Sequence, residues 1–173
     1  MPTLPKNPGK LLRVMVDANT LVSGTAWPRF PYEVLQHSIR GAFRLVLSEE
    51  IIAEARYALA RIEPSSINVG AFEEFLATTL YELVPAPSDK EIITHHNLVR
   101  DPNDVHVALA SINAQVDFLL TQDKDFTDHD ESTEVLHKLI KVMLPGTFLR
   151  EHMGWTSEQL EAIRRRMWSD LNR

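Results

Sequence analysis

Short apolar runs alternate along the chain with longer segments in which apolar and polar residues follow a helical period. The runs at 11–16, 43–47, 116–123 and 139–144 are mostly apolar and are bounded by polar or turn residues. Such runs are typical of strands that are buried on both faces of a parallel sheet. Because helical segments separate them, the pattern predicts an α/β sandwich built on a mainly parallel sheet.

Helix-start and helix-stop residues bound the amphipathic segments. Ser48 is placed to cap one helix and Pro64 to end it, while Thr156 and Gln159 form the pattern of a capping box. A loop containing glycine and proline is predicted over 23–31. The predicted helices cover 31–40, the segment between Ser48 and Pro64, 71–83, 91–98, 100–115 and 157–172.

Composition narrows the class of protein. A length of 173 residues is enough for one sizeable domain, and none of the apolar runs is long enough to span a bilayer. Residues 1–10 lack the apolar segment of a signal peptide and are predicted to form a flexible N-terminal lead. The chain contains no cysteine, which excludes disulfides and thiolate metal sites and fits a reducing cytoplasm.

The net charge of −6 bears on possible partners. An acidic protein has no overall field that attracts nucleic acid, so binding to RNA or DNA requires local basic patches or bound cations. Part of the acid excess can instead be concentrated in a metal site. The acids at the ends of the predicted elements are therefore the first candidates for chemistry.

Two predicted strands end in aspartates. Asp17 follows the run at 11–16, and Asp123 ends the run at 116–123. Each alone is explained as a turn residue whose side chain bonds to its own backbone. Parallel strands bring their carboxyl ends to one edge of a sheet, where open α/β sheets bind ligands. Taken together, the two acids are equally consistent with turn residues and with a functional site.

Two more acids flank the start of the helix predicted over 100–115. Asp101 followed by Pro102 has the pattern of a helix start, and Asp104 falls in the first turn. We assign capping to Asp101 and a site role to Asp104, because Asp104 shares a helix face with the small residue Ala108.

Glu54 borders the apolar stripe of the helix that follows Ser48, next to Ala58. A carboxylate at the edge of a buried face costs desolvation free energy unless it is paired or binds a metal. An ion pair with Arg56 or Arg61 and a role in a metal site explain Glu54 equally well.

Four carboxylates that lie together repel one another and require counter-charge, and the candidates are Asp17, Glu54, Asp104 and Asp123. In a chain without cysteine, an oxygen-only site suits the hard cations Mg²⁺ or Mn²⁺. Such cations orient phosphate, lower the pKa of a bound water and stabilise the charge of an in-line displacement. These residues therefore predict a metal-dependent site for phosphoryl transfer or phosphodiester cleavage.

The acid-bearing segments, in this order along the chain, resemble the PIN domain family. The resemblance covers roughly residues 11–150 and is closest to bacterial toxins of toxin–antitoxin systems that are related to VapC. The matching segments are VMVDANTLVSG with Asp17, LSEEIIAEARYAL with Glu54, RDPNDVHVALAS with Asp104, DFLLTQDKDF with Asp123, and the closing LIKVMLPGTFL.

The resemblance implies a three-layer α/β/α sandwich with about five parallel strands, in which the four acids converge on one or two Mg²⁺ or Mn²⁺ ions. It implies an endoribonuclease that cleaves RNA by metal-activated water and leaves a 5′-phosphate and a 3′-hydroxyl. An antitoxin partner and a homodimer also follow from the resemblance. Auxiliary roles beside the acids are implied for Asn19, Asp101, Thr121 and Asp125.

Residues 151–173 extend past the resemblance and are predicted to form a C-terminal helical extension. Apolar residues of this segment share one face, and the basic run 164–166 lies on the other. We expect the helix to pack on the core or on a second subunit, with its basic side solvated. A contact of that side with RNA or an antitoxin is the alternative.

The remaining polar residues are assigned no chemistry. The seven histidines, including His106, are interpreted as structural or surface residues, and Glu49 and Glu50 as solvated charges. Two alternative functions are a non-catalytic PIN-like module that binds RNA or protein, and a phosphatase of the haloacid-dehalogenase type. The phosphatase is disfavoured because position 19 is asparagine, where that family requires a second acid.

Overall fold

The computed structural model of the protein describes residues 9–171, and residues 1–8 of the predicted N-terminal lead lie outside the described residues. Within 9–171, five strands form one sheet. The strands are Arg13–Val16 (β1), Arg44–Ser48 (β2), Tyr81–Val84 (β3), Phe118–Leu120 (β4) and Val142–Met143 (β5). Every pairing between neighbouring strands is parallel, which confirms the predicted parallel sheet of about five strands.

The strand order β3-β2-β1-β4-β5 places β1 at the centre of the sheet. Met15 of β1 pairs with Val46 of β2 on one side and with Leu119 of β4 on the other. The chain adds β2 and β3 on one side of β1, and later adds β4 and β5 on the opposite side. The strand order therefore reverses between the carboxyl ends of β1 and β4, which is where open α/β sheets bind ligands.

Helices connect the strands and cover the sheet. They are Ala18–Ala26 (α1), Phe30–Ile39 (α2), Glu49–Leu59 (α3), Ala71–Thr78 (α4), Asp89–Thr94 (α5), Val105–Asn113 (α6), Lys124–Thr127 (α7), Glu134–Leu139 (α8), Pro145–His152 (α9), Ser157–Ile163 (α10) and Trp168–Leu171 (α11). Single turns of 3₁₀ helix lie at Pro64–Ser66 and Pro102–Asp104. The arrangement confirms the predicted α/β/α fold class. Within residues 9–171, no helix has the length and apolar character needed to cross a lipid bilayer.

The three inner strands form the centre of the hydrophobic core. Their apolar side chains are shielded from solvent on both faces of the sheet, which explains why these strands are continuous apolar runs. The fully buried residues of this centre are Val14, Met15, Val16, Leu45, Val46, Leu47, Phe118, Leu119 and Leu120. Strands packed in this way give rigid support to the polar residues that follow them.

The structure differs from the sequence prediction after β1, where α1 replaces the first part of the loop predicted over 23–31. Much of α1 consists of asparagine, threonine, serine and glycine, which favour helices weakly. Tertiary packing compensates, because Leu21 is fully buried and Gly24 lies against α2. A Cβ atom at Gly24 would lie 2.5 Å from Leu35 Cδ1, so the missing side chain allows the two helices to approach closely.

The prediction of a helix over 71–83 is wrong for the second half of that segment. It ends as α4 at Thr78, and β3 begins at Tyr81. Tyr81 pairs with Leu45 of β2, a contact that local periodicity does not encode. At the junction Leu80 is 94% exposed, so the apolar residues of this segment do not share one buried helix face.

Several further elements are shorter than predicted. The strand predicted over 116–123 is reduced to β4, and the helix predicted over 100–115 to α6 and the 3₁₀ turn before it. The strand predicted over 139–144 is reduced to β5, and its first residue ends α8. The helix predicted over 91–98 begins two residues earlier as α5 and ends at Thr94. The helix predicted over 157–172 is divided into α10 and α11 within the described residues.

Arg166 and Trp168, near the start of α11, are hydrogen-bonded to α1, to α2 and to the connection between them. Arg166 donates through Nη2 to Glu33 at 2.7 Å and through Nε to the Pro28 carbonyl oxygen at 2.7 Å. Trp168 Nε1 donates to the Ala26 carbonyl oxygen at 2.8 Å. Arg166 is therefore bound to the core and not solvated as expected. The division into a domain over 11–150 and an extension over 151–173 stays a prediction.

Candidate metal centre

Asp17 lies directly after the central strand β1 and is the N-cap of α1. Its Oδ1 accepts a hydrogen bond from the Thr20 N–H at 2.8 Å, and its Oδ2 accepts one from the Thr121 hydroxyl at 2.5 Å. Only 7% of the residue is exposed. Burial raises the pKa of Asp17 above its usual range, although the hydrogen bonds from Thr121 and Thr20 oppose that rise. One side chain therefore both caps a helix and presents a carboxylate at the edge of the sheet.

Thr121 connects Asp17 to the second strand-end acid. The Thr121 hydroxyl donates to Asp17, and the same oxygen accepts the Asp123 N–H at 3.0 Å. Asp123 in turn caps α7, because its Oδ1 accepts the Asp125 N–H at 2.8 Å. The ends of β1 and β4 are thus joined by hydrogen bonds as well as by the sheet.

Asp104 approaches the same place from the start of α6. The preceding 3₁₀ turn is capped by Asp101, whose Oδ1 accepts the Asn103 N–H at 2.9 Å. Burial, followed by the negative charges of Asp123 and Asp101, raises the pKa of Asp104 to about 7. The capping role predicted for Asp101 is therefore confirmed, and Asp104 lies close enough to Asp123 for their charges to interact.

Glu54 belongs to α3, and its partner is a histidine. Glu54 Oε1 lies 2.8 Å from Nε2 of His106, a buried residue of α6. Arg56 and Arg61, the arginines considered as ion-pair partners, interact with other side chains. The alternative of an ion pair with either arginine is therefore wrong. His106, interpreted from the sequence as a structural or surface residue, directly contacts a candidate site residue.

One cleft of about 570 Å³ is lined by all four predicted acids. Asn19, predicted as auxiliary, also lines this cleft, as do Glu50 and Tyr57. No lysine or arginine is found among the described residues that line it. A larger cavity of about 700 Å³ lies beside His129 and His137, and none of the four acids lines it. Chemistry rather than volume therefore identifies the candidate site.

The other auxiliary residues, Asp101, Thr121 and Asp125, surround the site without lining the cleft. Asp101, Asp104 and Asp125 have carboxylate oxygens within 4.8 Å of one another. Arg100 pairs with Asp125 at 3.1 Å and supplies positive charge at this end. Thr121 is fully buried and acts through the two hydrogen bonds that join the strand ends.

The donor set of the cleft fits a hard divalent cation. Carboxylates from four different parts of the fold line it, and Asn19 adds an amide oxygen. Burial, followed by the negative charges of Asp123 and Asp101, raises the pKa of Asp104, and a bound cation would oppose this rise by stabilising the carboxylate. Oxygen ligands of this kind suit Mg²⁺ or Mn²⁺.

Sequence reasoning missed the polar residues Glu50, Tyr57 and Asn103, which line the cleft, and His106, which contacts Glu54. Glu50 and Glu54 are four positions apart on α3 and so share a face, a signal that the spacing contained. The contact between His106 and Glu54 joins residues 52 positions apart in the chain, which no local pattern encodes.

Comparisons with known proteins agree with this fold. A family model described as the PIN domain matches residues 13–125. No curated protein sequence matches the chain. PAE2754 from Pyrobaculum aerophilum superposes with a TM-score of 0.53 at 17% identity, covering 83% of this chain and 97% of that one. VapBC2 from Rickettsia felis, solved bound to a DNA fragment from its promoter, superposes with a TM-score of 0.50 at 15% identity, covering 77% and 98% respectively.

The fold and the cleft define an α/β protein with a candidate metal centre at the carboxyl edge of a parallel sheet. The matched segment is more than half of the chain and includes all four acids, and the chain belongs to the PIN domain family. The family predicted from the ordered acidic motifs is therefore confirmed. At 17% and 15% identity, the two solved structures support the fold alone.

Proposed function

We propose that the protein is a metal-dependent endoribonuclease that cleaves RNA phosphodiester bonds by metal-activated water. One observation carries this proposal. Asp17, Glu54, Asp104 and Asp123 line a single cleft, and no basic side chain is found among the described residues that line it. Membership of the PIN domain family supports the proposal, because PIN domains are generally metal-dependent nucleases.

The four acids would hold Mg²⁺ or Mn²⁺. Asp17, Asp104 and Asp123 would act as ligands near the strand ends, and Glu54 would contribute from α3. The hydrogen bond with His106 uses one oxygen of Glu54, so the second oxygen is a candidate ligand. When bound, the ion lowers the pKa of water and stabilises the negative charge that develops on the phosphate.

Neighbouring groups orient these ligands and set the charge of the cleft. Thr121 restricts rotation of the Asp17 carboxylate through a 2.5 Å hydrogen bond. Asn19 lines the cleft and has an amide that can donate to a phosphate oxygen. Asp101 and Asp125 add negative charge beside the lining residues. Because uncompensated acids repel phosphate, RNA would enter this cleft only after cation binding.

We further propose that the protein acts in the cytoplasm as a toxin, with an antitoxin protein as partner and a homodimer as its assembly. The support is the resemblance of the acid-bearing motifs to VapC-type toxins and the fold shared with VapBC2. The absence of cysteine fits a reducing compartment. Co-purification with the product of a neighbouring small gene would test the partner, and light scattering would test the dimer.

The activity is tested by incubating the purified full chain with single-stranded and structured RNA and Mn²⁺. We expect wild-type protein to release products with 5′-phosphate and 3′-hydroxyl ends, and Asp17→Asn to release none. Glu49→Gln is the matched control, because Glu49 is an exposed acid outside the cleft lining. Equal cleavage by wild-type and Asp17→Asn would indicate a contaminating nuclease and reject the proposal.

The alternatives are weaker. A non-catalytic PIN-like module would bind RNA without cutting it in Mn²⁺, but the four acids that line the cleft disfavour this function. The phosphatase of the haloacid-dehalogenase type is set aside, because the chain belongs to the PIN domain family and has asparagine at position 19.

A further inference from the structure

A second group of potential ligands lies at the α3 side of the cleft and consists of Glu50, Glu54 and His106. Each offers one ligand atom within 4.8 Å of the other two. Glu50 and Glu54 line the cleft, and His106 is buried behind them with 4% of its surface exposed. This His–Glu cluster is distinct from the three aspartates at the strand and helix ends, although Glu54 also belongs to the acid cleft.

The hydrogen bond to Glu54 determines how the ring of His106 is used. A carboxylate can only accept, so the 2.8 Å contact places the imidazole proton on Nε2 of His106. The lone pair of the neutral ring then lies on Nδ1. This is the arrangement in which a carboxylate orients a metal-binding histidine by accepting its other ring N–H.

The Nδ1 atom of His106 is buried and has no hydrogen-bond partner among the described residues. Its nearest charged neighbour is Oε2 of Glu50, at 3.7 Å. A ring lone pair and a carboxylate oxygen thus face each other across a gap that two ligands of one cation can span. Buried polar atoms without a partner are uncommon, and this one also faces a carboxylate that lines the cleft, which makes it a candidate metal ligand.

The charges of α3 also favour a cation at this position. Glu50 and Glu54 are four residues apart on one face, and like charges at this spacing destabilise a helix. No lysine or arginine within residues 9–171 pairs with either of them. A cation beside Glu50 would reduce this repulsion.

We propose that Nδ1 of His106 and the carboxylate of Glu50 bind a divalent transition-metal ion, with Glu54 orienting the histidine. An imidazole ligand favours Zn²⁺ over Mg²⁺, which prefers oxygen ligands alone. The cleft then has two metal sites of different ligand type, connected by Glu54. Binding of the ion at the His–Glu site depends only on Glu50, Glu54 and His106. Any effect of that ion on RNA cleavage rests on the proposed function.

The test measures Zn²⁺ binding in a protein that cannot support the aspartate site. In full-length Asp17→Asn/Asp104→Asn protein, we expect calorimetric titration to show one equivalent of Zn²⁺ bound. Adding Glu50→Gln should weaken this binding at least about tenfold. Adding Glu49→Gln, which changes the adjacent exposed acid, should alter it less than about twofold. Circular dichroism of each variant verifies the fold.

Nitrogen NMR of the histidine rings identifies the ligand atom. In the Asp17→Asn/Asp104→Asn protein, Zn²⁺ should shift the Nδ1 resonance of one buried histidine. Adding Glu50→Gln should abolish this shift. Equal Zn²⁺ affinity with and without Glu50→Gln, or a buried histidine that does not respond, would overturn the proposed site. These outcomes do not depend on RNA cleavage, so failure of the His–Glu site is distinguishable from failure of the nuclease proposal.

Discussion

The cleft lined by the four acids, here called the acid cleft, has two walls that hold their carboxylates in different ways. The strand wall carries Asp17 and Asp123, and the helix wall carries Glu50 and Glu54 of α3. On the strand wall, Asp17 is 7% exposed, both of its oxygens accept hydrogen bonds, and Thr121 ties it to Asp123. On the helix wall, the side chains of Glu50 and Glu54 are 43% and 44% exposed, and their contacts run to one histidine. The strand wall is thus fixed by the sheet, whereas the helix wall is fixed by a side chain.

The two walls therefore differ in how freely their carboxylates can move when a ligand binds. Carboxylates held by hydrogen bonds on a packed strand keep their geometry before any ligand arrives, which favours selective binding of one ion type. Carboxylates on an exposed helix face can rotate toward a cation or a substrate. We therefore expect changes in the strand wall to affect activity most strongly, and changes in the helix wall to affect affinity for the metal.

The largest effect is expected from Asp17→Asn. Asparagine still accepts the Thr20 N–H and so preserves the helix cap, but it loses the charge that would bind the cation. Loss of a metal ligand removes several kcal/mol of transition-state stabilisation, so the rate of RNA cleavage should fall at least about 10³-fold. Because like-charge repulsion falls, the melting temperature in metal-free buffer should not decrease. A clear decrease would show that charge repulsion at Asp17 does not limit the stability of the metal-free protein.

A smaller effect is expected from Glu54→Gln on the helix wall. The amide oxygen of glutamine can still accept from His106 Nε2, so the wall should keep its shape while losing one charge. We expect apparent Mn²⁺ affinity to weaken about 10–100-fold, measured by the Mn²⁺ dependence of cleavage. If the maximal rate at saturating Mn²⁺ fell as far as in Asp17→Asn, the two walls would not differ in their roles.

Thr121→Val tests the link between the two strand ends. Valine has nearly the shape of threonine but cannot donate to Asp17 or accept from the Asp123 N–H. Leaving these buried groups unpaired should lower the free energy of unfolding by about 1–3 kcal/mol. Urea unfolding of Thr121→Val beside Thr121→Ser, which keeps the hydroxyl, separates the lost hydrogen bonds from packing. Equal losses in both variants would assign the effect to packing.

The smallest effect is a pH dependence that follows from Asp104. Its pKa is raised from 3.8 to about 7 in the folded protein, so between these values the folded state holds a proton that the unfolded state has lost. The contribution of Asp104 to the free energy of unfolding is fully present below about pH 4 and is lost as pH rises through about 7. In metal-free buffer, the melting temperature should therefore fall less from about pH 5 to pH 8 in Asp104→Asn than in wild-type protein. An equal fall would exclude Asp104 as the cause.

Sequence patterns predicted the strand wall better than the helix wall, for a physical reason. The position of Asp17 follows from an apolar run that ends in an acid, and parallel pairing then brings it to the same edge as Asp123. These are local signals combined with one general rule of α/β sheets. Asp101 as a helix cap was predictable in the same way, because the capping residue and the helix start are adjacent in the chain.

Features that depend on distant contacts were not predictable from local patterns. The residues of β3 continue the apolar period of α4, and only their pairing with β2 makes them a strand. The weak helix formers of α1 are helical because Leu21 and Gly24 pack tightly. His106 looked like an isolated histidine, since its partner Glu54 is 52 positions away.

The pairing of β1 with β4 has a consequence for biosynthesis. Asp17 is made early, but its hydrogen-bond partner Thr121 is 104 residues further along the chain. At about 5–20 residues per second, a ribosome needs roughly 5–20 s to make that intervening length. During this interval the nascent chain has neither β4 nor Asp123, so the acid cleft cannot exist. A chain that stops before residue 118 would lack the pairing of β1 with β4, so the complete acid cleft forms only after most of the chain has been translated.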